Sequence, residues 1–191
     1  MILILIFLLS LLLINTPGEE PKDRSIFISP VNIPLSLSSN FGELRMDHFH
    51  SGLDIRTQGV TGKEVLAAAS GYVYRISISP GGFGKALYLR HPSGYSTVYG
   101  HLDRFTPEIE EYVISRQYEE KSYMVTLWPP KERFKFDQGD IIAYSGNSGS
   151  SSGPHLHYEI RTSDDEVPVN PLMFEFGIKD DIKPVIEKLV I

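Results

Sequence analysis

The sequence contains no cysteine. That excludes disulfides, a thiol nucleophile and any thiolate metal site, so a metal held by this chain has to rest on histidine and carboxylate. Long runs of one charge, internal repeats and low-complexity tracts are missing as well. Basic residues are outnumbered, 18 Lys and Arg against 24 Asp and Glu, for a formal charge of -6. A nucleic-acid binder normally carries a basic face or stripe, and this chain offers none. What is present suits one folded domain with a short lead and tail: 191 residues, 41% of them hydrophobic, are enough for a packed core.

The lack of cysteine fits any compartment, and export is argued instead by the first residues. Ile2 to Ile14 is Leu, Ile and Phe broken only by Ser10. The run is shorter than the about 20 residues that cross a hydrocarbon core, but it fits the apolar region of a signal peptide. No Lys or Arg precedes it, and no small-x-small cleavage site is clear near Asn15 to Gly18. Residues 1–18 therefore read as a signal peptide or, uncleaved, as a short membrane anchor, with no cysteine following for lipid attachment. Residues 19–34 are polar and proline-spaced, an extended lead-in. The domain proper is expected over 35–176, and Ile182, Val185, Leu189 and Val190 look like the opening of a further β element over 177–191.

Between these ends the pattern is all-β. Gly71 to Ile78 alternates as a strand, and Lys85 to His91 and Tyr95 to His101 are two more, joined by Pro92-Ser93-Gly94 as an antiparallel hairpin. Ile141 to Tyr144 is a short buried strand. His91, at the hairpin end, is expected to have a hydrogen-bonding or solvated role. One stretch breaks the pattern: Thr106 as N-cap, Pro107 at the first helical position and acidic Glu108, Glu110 and Glu111 announce a helix over 106–121 with Ile109, Tyr112 and Val113 on its apolar face. Trp128 and Tyr123, beyond it, are expected to pack as large aromatics do.

Chemistry-bearing residues cluster in two places. In Gly153-Pro-His155-Leu-His157-Tyr-Glu159, Pro154 can only begin a strand, and along that strand His155, His157 and Glu159 share one face. The pair offers either two metal ligands or one ligand and one acid/base, with Glu159 as acceptor for an imidazole N–H. About a hundred residues earlier stands Asp47-His48-Phe-His50-Ser-Gly-Leu-Asp54. Ser51-Gly52 argues against a helix, so a turn is expected to bring His50 and Asp54 to one point. His48 shares a face with His50 on an extended segment and is an alternative ligand. Hydrolytic zinc sites take three such ligands and leave a fourth position for water, and His50, Asp54 and one histidine of the later pair make that set.

With His50-Ser-Gly-Leu-Asp54-Ile, Ala69-Ser-Gly-Tyr-Val73, Tyr99-Gly-His101-Leu102 and Ser145-Gly-Asn-Ser-Gly149 followed by Gly153-Pro-His-Leu-His-Tyr-Glu159 in that order, the chain resembles the LytM/lysostaphin-type zinc endopeptidases over roughly residues 38–175. The resemblance implies a β-sandwich or barrel-like peptidase domain. It also implies His50, Asp54 and His157 as ligands of one zinc ion, His101 and His155 as non-ligand catalytic histidines, and peptidoglycan stem or cross-link peptides as substrate in the periplasm or cell envelope. His50 is favoured over His48 by its spacing to Asp54. The family commonly has a Phe-Gly-x-x-Arg like Phe41 to Arg45 before its first ligand, which points Arg45 toward the site. The glycine-rich 146–153 stretch, held between two strands, reads as a tight loop beside the metal. The 105–137 stretch departs from the shorter loop common in the family. A second reading is a non-catalytic LytM-like domain that binds cell wall or activates another hydrolase; such domains typically lack ligand or catalytic positions, and here all five residues are present.

Overall fold

The computed structural model describes residues 23–175, 177 and 178. The apolar leader, the first residues of the lead-in and the β element expected near the end of the chain lie outside them. The strands are β1 (Leu37–Ser39), β2 (Leu53–Arg56), β3 (Glu64–Leu66), β4 (Gly71–Ile78), β5 (Lys85–Arg90), β6 (Tyr95–Phe105), β7 (Val125–Leu127), β8 (Lys135–Phe136), β9 (Ile141–Ser145), β10 (His155–Thr162) and β11 (Pro168–Val169). Among the described residues one α-helix, α1 (Pro107–Glu120), follows β6. The main sheet runs β1-β2-β10-β6-β5-β4-β7, with β9 on the far half of β6 and β3 on β9. The mainly antiparallel all-β fold expected from the sequence is what is found.

Period-two alternation sorts the sheet into two chemistries. Leu53 and Ile55 of β2, Leu87 and Leu89 of β5, Tyr99 of β6 and Leu156, Tyr158 and Ile160 of β10 point into one core and are fully buried. Burying each such side chain is worth about 1.5–3 kcal/mol. The intervening residues Asp54, Arg56, Gly100, His155, His157 and Glu159 belong to the opposite face. The lead-in joins the core: Phe27 packs edge-on against His91, Tyr95 and Phe174, and Val31 bridges to Val65. His91 is buried, with Nδ1–H donated to the Ser70 carbonyl at 3.0 Å and Nε2 at 2.8 Å from the Thr97 hydroxyl, and burial pushes its pKa down.

β6 is longer than the hairpin pattern implies. Up to Gly100 it pairs with β10; from Leu102 it pairs with β9. His101 sits at the switch with φ +58°, a left-handed conformation that costs a non-glycine residue about 1–2 kcal/mol. Bonds on both sides offset that cost: the His101 N–H donates to the Phe83 carbonyl at 2.8 Å and its ring Nδ1–H to the Ser148 carbonyl at 2.8 Å. The polar Asp103 and Arg104, exposed on the second half of β6, hide the continuation from pattern reading.

α1 buries Ile109 and Val113 as expected. Its start differs in detail, because Thr106 is the N-cap but makes no side-chain capping bond. Glu110 instead ties the helix back to β6, its carboxylate accepting the Phe105 N–H at 2.9 Å and pairing with Lys85 at 3.2 Å. The expectation that Tyr123 and Trp128 pack inside is wrong: they are 60% and 67% exposed. β7 is an edge strand whose alternation puts Val125 and Leu127 inward and turns the neighbouring Met124, Thr126 and Trp128 out.

Candidate metal centre

The register of β2 against β10 sets His157 directly opposite Asp54 and His155 opposite Arg56. His50 reaches the same point from the loop before β2. That loop folds back on itself through the Gly42 N–H to the His50 carbonyl and the His50 N–H to the Glu43 carbonyl, both 2.8 Å. His50 Nε2, Asp54 Oδ1 and His157 Nδ1 form a near-equilateral triangle with edges of 3.1, 3.0 and 3.1 Å. These three, as the sequence pairs them, are the group among the described residues whose ligand atoms converge on one point.

The outward hydrogen bonds fix the tautomers. His50 Nδ1–H donates to the Asn40 carbonyl at 2.7 Å, so Nε2 carries its lone pair. His157 Nε2–H donates to Glu159 Oε1 at 2.8 Å, so Nδ1 carries its own. Two lone pairs and a carboxylate oxygen at such range repel unless a cation lies between them. Tetrahedral zinc with bonds of about 2.0–2.1 Å has ligand atoms about 3.3 Å apart, close to the edges observed. The donor set fits a divalent ion.

Burial alone would push the Asp54 carboxyl up, and positive charge facing it, protons on the imidazoles of His155, His157 and His50 when no ion is bound, holds it well below the usual carboxylate range. Its other oxygen takes Arg45 Nη2 at 2.9 Å, which gives Arg45 the site-adjacent role suggested by Phe41 to Arg45. Glu159 is fully buried, yet hydrogen bonds from His157 and Arg161 outweigh desolvation and hold its pKa at about 2. Ser51 also donates to it. Glu159→Ala is expected to weaken metal affinity by about 10–100-fold, because His157 loses the acceptor that fixes its tautomer; a competition titration with a chromophoric chelator measures this, and unchanged affinity would remove Glu159 from the centre.

His155 and His101 stand beside the triangle without joining it. His155 donates Nδ1–H to the Gly153 carbonyl at 2.8 Å and turns Nε2 toward Asp54 Oδ1 at 3.5 Å. The two ring centroids are 4.7 Å apart. Burial lowers the pKa of His101 to about 4, so its imidazole is neutral near pH 7. His48 lines the same groove but is 65% exposed, bonded to Asp47 at 2.6 Å and outside the converging set.

A sequence model of Peptidase family M23 matches residues 48–118 and 130–171. The chain belongs to peptidase family M23. All five residues of the centre fall within the matched segments, and the interruption at 119–129 lies inside the stretch that departs from the family's shorter loop. Among its relatives, the chain is 32% identical over 160 residues to the DD-carboxypeptidase/endopeptidase Mpg of Neisseria meningitidis serogroup B, covering 81% of this chain and 30% of that protein. It spans between 20% and 30% of the length of the bacterial relatives it matches. Of solved structures, the catalytic domain of the prophage-encoded M23 protein EnpA from Enterococcus faecalis aligns with a TM-score of 0.55 at 25% identity, covering 76% of this chain and 95% of that one. The catalytic domain of lysostaphin from Staphylococcus simulans shares the fold, with a TM-score of 0.53 at 21% identity over 72% of this chain and 90% of that one.

The centre opens into a groove of about 430 Å³ lined by the Arg45–His48 segment and by two further loops. In one, Phe83 stacks on His157 with centroids 4.7 Å apart and planes 24° apart. Gly100, opposite His157, makes room for it: a Cβ there would lie 3.3 Å from His157 Cβ and 3.4 Å from Phe83. The other wall is the 146–153 loop, beside the metal centre as expected. Gly149 has φ +72°, and a Cβ on it would fall 2.3 Å from the Gly84 nitrogen, so glycine is what allows the two walls to touch. Pattern reading passes over Phe83, Ser148 and the Asn40 carbonyl. A turn composition says nothing of which ring it stacks on.

Proposed function

We propose that this chain is a zinc-dependent endopeptidase that hydrolyses peptide bonds in the stem or cross-link peptides of peptidoglycan. The observation that carries this reading is the triangle of His50 Nε2, Asp54 Oδ1 and His157 Nδ1 with 3.0–3.1 Å edges, open on the side of two further histidines. Two imidazoles and a carboxylate with one open position are the ligand set of hydrolytic zinc. When bound, zinc supplies Lewis acidity, which makes water a nucleophile near neutral pH and polarises a carbonyl.

The chain's own residues do the rest. Since a carbonyl oxygen only accepts, the Gly153 and Ser148 carbonyls hold the hydrogens of His155 and His101 on Nδ1 and leave both Nε2 atoms as proton acceptors. In this reading His155 takes the proton from the attacking water at Nε2. His101, beside it, stabilises the developing oxyanion or protonates the leaving amine once it carries a proton at Nε2. The two imidazoles share one tautomer, so these roles are interchangeable between them.

The layout follows the same reading, with residues 35–176 as the peptidase domain and residues 1–18 as a signal peptide or short anchor delivering it to the periplasm or cell envelope. The apolar run Ile2 to Ile14 supports export. Among the described residues no helix is long and apolar enough to cross a membrane. The purified protein is expected to carry zinc and to release new amines from purified cell wall, with release stopped by a chelator and restored by zinc. Bound zinc without release would instead favour a cell-wall-binding or hydrolase-activating role.

A further inference from the structure

A second cavity, of about 580 Å³, lies along Asp54 and His155 and continues past the metal centre toward Arg56 and Ser38. The mechanism above leaves it unused. Two guanidinium groups line it, each held by part of its donor set. Arg45 is anchored through Nη2 to Asp54 Oδ2 at 2.9 Å and to the Ser39 hydroxyl. Arg56 is anchored through Nε to the Leu37 carbonyl at 3.2 Å. Among the described residues, neither nitrogen at the tip of Arg56 has a protein partner, nor has Arg45 Nη1. One acid besides Asp54 lines the cavity, Glu43, and both its oxygens are engaged within its own loop, by the Ser39 hydroxyl at 2.5 Å and the Asn40 N–H at 2.7 Å.

Position matters as much as charge. Asp54 and Arg56 alternate with the buried Leu53 and Ile55, so both belong to the face that carries the metal centre. Arg56 is paired in register with His155. Two residues along a strand span about 6.6 Å, the length of two residues of an extended peptide. We propose that Arg56, assisted by the unused edge of Arg45, is a carboxylate-binding subsite that selects peptides with a free carboxylate one or two residues from the bond at the metal. A guanidinium with two parallel N–H groups free matches a carboxylate fork, and a carboxamide in its place brings no charge and reverses one of the two bonds.

This rests on the peptidase reading, and the test separates the two. The probes are a synthetic stem peptide ending in D-alanyl-D-alanine with a free terminal carboxylate, and the same peptide as its terminal carboxamide. Binding of each is measured by calorimetry to metal-loaded His155→Ala protein, so that neither probe is consumed, and to the same protein carrying Arg56→Ala or Arg56→Lys, with metal content checked to be equal. The carboxylate probe is expected to bind on the order of tenfold more tightly than the carboxamide. Arg56→Ala should erase the difference and Arg56→Lys keep part of it, since an ammonium is a point charge without the fork. Equal affinities at the start, no measurable binding of either probe, or a preference that survives Arg56→Ala overturns the subsite. Amine release from purified cell wall by the wild-type chain reports on the peptidase reading alone: a binding preference without that release keeps the subsite and removes the enzyme.

Discussion

His157→Ala is expected to lose bound metal and hydrolysis together. His157 supplies one corner of the triangle, at 3.0 Å from Asp54 Oδ1 and 3.1 Å from His50 Nε2, and its side chain is 4% exposed. The loss has three parts. One of three ligand atoms disappears, and the affinity should fall by more than the roughly 100-fold that removing an outer partner costs. Glu159, buried and anionic, loses the imidazole N–H that it accepts at 2.8 Å, leaving Arg161 and Ser51 to hold its charge. Phe83 loses the ring on which it stacks, so a wall of the groove loosens. Leaving a buried carboxylate short of a partner costs about 1–3 kcal/mol, so folding has to be checked separately. Elemental analysis after dialysis reads the metal, and near-ultraviolet circular dichroism reads the packing. A folded variant that keeps one metal per chain would remove His157 from the ligand set.

Strand geometry makes two corners of this triangle legible in the sequence and narrows the third to His155 or His157; the choice of His157 comes from the family resemblance. A residue two positions from another on a strand shares its face, and a proline before the run limits where the strand starts. That is enough to align His155, His157 and Glu159, and the Gly52 turn brings His50 to Asp54. The partners that fix the tautomers are not legible. They are backbone carbonyls of Asn40, Ser148 and Gly153, and every residue has a carbonyl, so side-chain identity carries no trace of which one faces an imidazole. Phe83 is hidden for a different reason. Its stacking on His157 depends on β5, β6 and β10 lying side by side, and on Gly100 leaving space between them, which are tertiary facts. Trp128 shows the converse failure. The general tendency of large aromatics to pack is overridden where an edge strand is short and its inward positions are already taken by Val125 and Leu127.

His155→Ala should separate from His157→Ala by keeping the metal while losing turnover. The distinction rests on small but consistent differences in geometry. The three ligand atoms lie within 3.0–3.1 Å of one another, whereas His155 Nε2 stands 3.5 Å from Asp54 Oδ1 and outside the converging set. Its side chain is 16% exposed against 4–6% for His157 and His50, so it meets the groove rather than the interior. Its Nδ1 hydrogen is spent on the Gly153 carbonyl, which leaves Nε2 as an acceptor on the open side of the triangle. Removing a positioned proton acceptor costs about 10²–10⁴ in rate, and here the loss should fall on kcat with metal content and substrate affinity close to wild type. The outcome that would reverse the assignment is equally sharp. If alanine at this position empties the centre of metal, His155 is a ligand, and the proton acceptor has to be His101, whose Nδ1 hydrogen is held in the same way by Ser148.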